Sequence, residues 1–166
     1  MKNIYLSLIL FLTIIIMSCG SSESPTPVVI NKPSKEVIAE KIWEEFDISA
    51  EGNNMQEMKY SMKNIQVKEG SWVRINLKNE GVDPAMIHNL LVINYGTRAE
   101  VAQMAIEAGV EANYIPDSED VIAASKLAQP GETITFEFKA PPKNNYEFFC
   151  SYPGHAQMMR GYFFVK

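Results

Sequence analysis

The stretch "SWVRINLKN", residues 71–79, places Val73, Ile75 and Leu77 on one face of an extended chain and Arg74, Asn76 and Lys78 on the other. A period of two is the pattern of a half-buried β-strand, and a helix would scatter it around its circumference. The alternation recurs. "EEFDIS" carries Phe46 and Ile48, and "ETITFEFK" carries Ile134, Phe136 and Phe138. "MKYSMKNIQVKEG" carries Tyr60, Met62, Ile65 and Val67, with a change of phase between Met62 and Ile65 that reads as a bulge, and Glu69-Gly70 ends it. "HNLLVIN" is a more continuous apolar run, and "YEFFC" and "GYFFVK" close the chain. Short strands separated by Gly and Pro turns predict an all-β sandwich or barrel.

One segment departs from that pattern. "TRAEVAQMAIEAGVEANYI" has helical composition, and Thr97 followed three residues later by Glu100 reads as a capping box. Val101, Met104, Ala105 and Ala108 fall on one face. A single helix inserted between strands and packed on the outside of the sandwich is expected.

The N-terminus belongs to a different class. Lys2 precedes an apolar run from Ile4 to Met17, about 14 residues, short for a membrane span and the right length for a signal-peptide core. It ends in "IMSCG", small residues leading to Cys19, the pattern of a bacterial lipobox. Residues 1–18 are therefore read as a lipoprotein signal peptide and Cys19 as the acylated first residue of the mature chain. Residues 19–42, rich in Ser and Pro, read as a flexible tether, with a short helix over 34–42 capped by Ser34, and 43–166 as the folded domain. The expected location is outside the cytoplasm, lipid-anchored to a bacterial membrane and facing the periplasm or the cell exterior, with the outer membrane as the working expectation. The net charge of −5 has no basic concentration, which argues against nucleic acid as a partner.

Export sharpens the cysteine count. The chain has two cysteines. With Cys19 acylated, Cys150 is left without a disulfide partner in an oxidising compartment, and a metal–thiolate bond becomes an attractive use for it. Cys150 ends an aromatic strand, "SYPG" forms a tight turn, and His155 and Met159 follow in the spacing C-x4-H-x3-M. The other histidine of the chain, His88, opens the "HNLLVIN" run. A thiolate, two imidazoles and a weak axial thioether make up a blue-copper site, and this chain supplies one such set. Taken singly, a strand-end Cys, a lone His or a Met pair is usually core or surface. Jointly they must also account for the spacing, the use of both histidines, the all-β pattern and export.

The segments "YEFFCSYPGHAQMMRGYFFVK", "PAMIHNLLVI", "NNMQEMKYSMKNIQVKEGSWVRINLKNEG" and "VIAASKLAQPGETITFEF" together resemble the azurin-like blue copper proteins of the cupredoxin family, over about residues 46–166. The resemblance implies a cupredoxin-like Greek-key β-sandwich with an inserted helical flap, binding one type 1 copper ion. It implies His88, Cys150 and His155 as equatorial ligands and Met159 as the axial one, with Met158 as the adjacent fallback. The residue before the first ligand is glycine in the family, with its carbonyl directed at the ion; here it is Ile87. The azurin disulfide is absent here. Asn89 is expected to tie the two ligand segments together, and its N–H and that of Tyr152 to donate to the Cys150 sulfur.

The expected activity is one-electron transfer without bond chemistry, so the protein is read as a carrier and not an enzyme. Electrons are expected to pass through His155, read as reaching the surface at its ring edge, with His88 more buried. A small apolar patch of Met86, Pro153, Ala156 and Met158, with Ala85 and Tyr152, would receive the partner. A c-type cytochrome or a copper or haem reductase is the expected partner class, beside the membrane reached through Cys19. A copper carrier or storage lipoprotein is the alternative. A copper oxidase or nitrite reductase needs further histidines for a second copper, and this chain has none to spare.

Overall fold

The computed structural model describes residues 41–166. The expected signal peptide, Cys19, nearly all of the tether and the expected helix up to residue 40 lie outside the described residues; Lys41 and Ile42 are exposed and irregular.

Two sheets face each other. The first has the order β2-β1-β4-β7, formed by Lys59–Tyr60, Trp43–Glu51, Trp72–Asn79 and Thr133–Lys139. The second has the order β3-β9-β8-β5-β6, formed by Asn64–Val67, Arg160–Val165, Asn145–Phe149, Leu91–Asn94 and Val121–Ala124. Neighbours are antiparallel except β1 beside β4 and β3 beside β9, which are parallel. This is the expected all-β sandwich.

The alternating residues do what their period requires. Val73, Ile75 and Leu77 are fully buried between the sheets, with Ile48, Ala50, Ile65, Val67, Phe148 and Phe163 against them. The phase change between Met62 and Ile65 has a different origin from the expected bulge. Tyr60 belongs to one sheet and Ile65 to the other, and residues 61–63 carry the chain across. A strand that changes sheets must change which of its faces points inward.

The helical segment is α1, Arg98–Ala108, followed by a 3-10 turn at Val110–Ala112. Val101 is buried against Leu91, Ile93 and Phe149 on the outer face of the second sheet, with Ala102 and Met104 packed on the same cluster, and Ala105 is buried as well. Those three sheet residues explain why "LLVI" and "FF" read as continuous apolar runs: both faces of their strands are covered. Thr97 occupies the N-cap position but makes no side-chain capping bond, because its hydroxyl donates to the Asn94 carbonyl at 2.9 Å. Arg98 instead latches the helix. Its Nε donates to Glu147 at 3.0 Å and its Nη1 to the Ala156 carbonyl at 3.1 Å. Among the described residues no helix is long and apolar enough to cross a membrane.

Candidate metal centre

Two ligand-bearing segments meet at one end of the sandwich. Cys150 follows β8, and its N–H donates to the Met159 carbonyl at 2.9 Å, extending the β8–β9 ladder by one step. The intervening residues 151–158 fold back as a compact coil. Gly154 supplies the left-handed turn at φ 86°, and the His155 carbonyl accepts from the Met158 and Met159 N–H groups at 3.1 and 3.0 Å. His88 stands at the entrance to β5, bridged to Ala128 by N–H···O=C bonds of 3.2 and 2.7 Å. The preceding segment is held by Asn79, whose Nδ2 donates to the Met86 and Ala128 carbonyls at 2.7 and 2.9 Å.

The side chains converge. His88 Nδ1 and His155 Nδ1 lie 3.2 Å apart, and each faces the Cys150 sulfur, at 3.9 and 3.7 Å. All three donor atoms fall within 4.8 Å of one another, and all three residues are buried. Separations of this size are what metal–ligand bonds of about 2.0–2.3 Å impose on three donors around one ion. His88 Nε2 is buried and has no hydrogen-bond partner among the described residues, so the ring's polar contacts run through Nδ1 into the cluster. Met159 is fully buried beside Cys150, whereas Met158 is 45% exposed and turns outward. That disposition favours Met159 over Met158 as the thioether near the cluster.

Burial sets the protonation states. Desolvation, helped at His88 by the neighbouring His155, lowers both imidazoles to about 4, so at neutral pH both rings are uncharged with a lone pair to offer. Desolvation raises the Cys150 thiol to about 11, opposed by hydrogen bonds from the Asn89 and Tyr152 N–H groups and from the Tyr60 hydroxyl. The metal-free thiol therefore holds its proton at pH 7, and a cation must displace it. Two neutral imidazoles, a displaceable thiol proton and a buried thioether fit a copper ion.

Asn89 is fully buried and ties the ligand segments together. Its Oδ1 accepts from the Ser151 N–H at 2.9 Å, and its Nδ2 donates to Ser151 Oγ at 2.8 Å and to the Asn113 carbonyl at 2.9 Å. Ser151 Oγ donates onward to the Tyr114 carbonyl at 2.6 Å. Asn113 and Tyr114 both hold left-handed backbone, φ 55° and 54°. Two such non-glycine residues in a row are strained, and here they aim their carbonyls at the groups beside His88 and Cys150. Nothing in the sequence marks Asn79, Ser151 or the 113–114 turn as part of the site, and Tyr60 is marked only as a residue of an alternating strand. Asn79 and Tyr60 sit at strand ends with no motif around them, and only the adjacency of Ser151 to Cys150 gave a local hint. Ile87 is half-buried, its carbonyl flanked by the Met86 and His88 carbonyls that Asn79 and Ala128 engage.

The outer surface departs from expectation in two places. His155 is 1% exposed, as shielded as His88, because the Tyr152 ring covers it at a centroid distance of 4.9 Å and Tyr114 meets Tyr152 edge-on at 5.3 Å. Met86 is 5% exposed and so does not join a surface patch; it packs so close to Gly81 that a Cβ added there would stand 3.1 Å from the Met86 Cβ. Tyr152, Pro153 and Ala156 are half-buried and Ala85 and Met158 are exposed. Tyr152, Pro153 and Ala156 line a groove of about 180 Å³ against Ala102 and Ile106 of α1.

Residues 46–166 match the family model described as copper binding proteins, plastocyanin/azurin family. Azurin of Alcaligenes faecalis is 37% identical over 122 residues, covering 69% of this chain and 94% of that protein. Auracyanin-A of Chloroflexus aurantiacus is 33% identical over 113 residues, covering 66% of this chain and 68% of that protein. Among solved structures, auracyanin A of Chloroflexus aurantiacus, described as a "blue" copper protein, superimposes with a TM-score of 0.68 at 29% identity, over 75% of this chain and 99% of that one. Dithionite-reduced auracyanin of Roseiflexus castenholzii gives 0.65 at 31% identity, over 74% and 96%.

Proposed function

The chain belongs to the plastocyanin/azurin family of copper-binding proteins, and from that premise we propose that it carries single electrons between exported redox proteins. His88, Cys150 and His155 would hold the ion in this reading, with the Met159 thioether as the further donor. The observation that carries it is the convergence of two imidazole Nδ1 atoms and one thiol sulfur at 3.2–3.9 Å in a buried pocket. Bound copper supplies a site that alternates between two oxidation states one unit apart. The protein's part is to hold the donors fixed and dry. Asn89 and Ser151 lock the two segments, and the N–H groups of Asn89 and Tyr152 draw charge from the sulfur. A closed, buried set of this kind supports a carrier of electrons over a carrier or store of copper, and nothing in the reading calls for a catalytic centre.

The partner surface in this reading is the groove beside Tyr152, Pro153 and Ala156 together with exposed Met158, over the roofed His155 ring. A c-type cytochrome or a copper or haem reductase is the proposed class of partner, since weak redox encounters bury little area. The sequence around Cys19 supports lipid anchoring outside the cytoplasm, with residues 19–42 as the tether and residues 43–166 as the domain it carries.

A visible spectrum of the copper-loaded domain tests the site. An intense thiolate-to-copper band is expected, absent in Cys150→Ser, altered in Met159→Leu and lost in His88→Ala. An unchanged spectrum in His88→Ala would overturn the ligand assignment. Fast electron exchange with a cytochrome supports the proposed role, and ready loss of Cu(I) to an acceptor protein would replace it with copper carriage.

A further inference from the structure

Tyr60 occupies an unusual place for a phenol. It is 1% exposed, contributed by the two-residue strand β2, with its ring on Phe148 at a centroid distance of 5.6 Å. Its hydroxyl donates to the carbonyl of Asn89, the residue after His88. A phenylalanine would fill the same apolar volume. The hydroxyl therefore answers to that carbonyl, on the segment that carries His88, and a buried hydroxyl is costly unless it is so engaged.

We propose that Tyr60 is a positioning residue for the metal centre, whose hydroxyl fixes the Asn89–Leu90 peptide and so the strand entry that carries His88 and the Asn89 N–H. This rests on the blue-copper reading above. The Asn89 N–H, in the preceding peptide, donates to the Cys150 sulfur, so a shift of the held carbonyl moves that donor and His88 with it. A sulfur whose Asn89 N–H donor is displaced keeps more negative charge, donates more strongly to the ion and favours the oxidised state.

The test compares Tyr60→Phe with Tyr146→Phe. Tyr146 is also buried and its hydroxyl donates to a carbonyl, that of Pro142, at 2.8 Å, but on the loop entering β8. Both variants lose one buried hydroxyl. A fall in reduction potential and a displaced thiolate-to-copper band in Tyr60→Phe, with both unchanged in Tyr146→Phe, are expected. The metal-free protein gives an independent readout. The Asn89 carbonyl shares its peptide with the Leu90 N–H, which donates to Ser125 Oγ at 3.0 Å, so the Leu90 amide resonance should move in Tyr60→Phe. A potential that stays at the parental value in Tyr60→Phe, or falls equally in Tyr146→Phe, would overturn the inference. Absence of the band in the parent protein would overturn the copper reading instead, and the Leu90 resonance would still report on the hydroxyl.

Discussion

Asn79 shows how much one polar side chain contributes here. It is fully buried at the end of β4, donates to the Met86 and Ala128 carbonyls, and accepts from the Gly81 N–H at 2.9 Å. Asn79→Ala leaves the Met86 carbonyl and the Gly81 N–H without that partner, each costing roughly 1–3 kcal/mol if unrelieved, while the Ala128 carbonyl keeps the His88 N–H. The expected result is a loss of roughly 3 kcal/mol in urea denaturation, together with weaker copper retention because the His88 segment is freed. Cys150 makes a second prediction at this scale. Its thiol, raised to about 11 by burial, is protonated at pH 7, so loading the metal-free protein should release about one proton per copper in an unbuffered titration. No proton release would mean that the thiolate already exists, stabilised by more than the two N–H groups and one hydroxyl that face it.

Elements can be tested where they touch most closely. Gly161 in β9 has no room for a side chain: a Cβ would stand 2.3 Å from Phe148 Cζ and 2.5 Å from the Lys63 carbonyl. Gly161→Ala should destabilise by roughly 2–3 kcal/mol or more through forced repacking of the second sheet, read by thermal denaturation. Arg98 joins α1 to the ligand loop, with Glu147 as its partly buried counter-ion. Arg98→Ala should leave the fold in place and raise amide exchange in residues 156–159; equal exchange would show that the loop holds itself. The strands were legible in the sequence because period-two burial is local: Val73, Ile75 and Leu77 face the core whatever the partner strand. The change of sheet after Tyr60 was not, since a bulge and a crossover leave the same phase shift in one dimension. The C-x4-H-x3-M spacing marked the ligand loop, and the scarcity of histidine pointed to His88. The roof over His155 was hidden because it depends on Tyr114, some forty residues distant and held by a strained turn that no composition rule marks.

At the scale of the whole molecule, the buried cluster gives the metal-free fold a window of stability. His88 and His155 sit at about 4 when folded and near 6.5 when unfolded. Between those values the unfolded chain binds protons that the folded one rejects, so stability is intact above pH 6.5 and is lost as pH falls toward 4. Cys150 acts at the other limit: raised to about 11 when folded against about 8.5 when unfolded, it costs stability as pH climbs past 8.5. Urea midpoints of the metal-free protein should be highest between these limits and lower at pH 5 and at pH 10. A midpoint at pH 5 equal to that at pH 7.5 would mean that solvent reaches the rings.

The parallel pairing of β1 with β4 runs in register from Trp43 beside Trp72 to Ala50 beside Asn79, and β1 is the first strand of the domain. A force applied at residue 42 along the strand, against resistance at the opposite end, would load these rungs together in shear instead of peeling them one at a time. Rupture under such a load is set by the unfolding barrier rather than by equilibrium stability. Extension between residue 42 and the far end of β4 should therefore meet one high rupture force, read by single-molecule pulling, where an antiparallel hairpin would unzip at a low one.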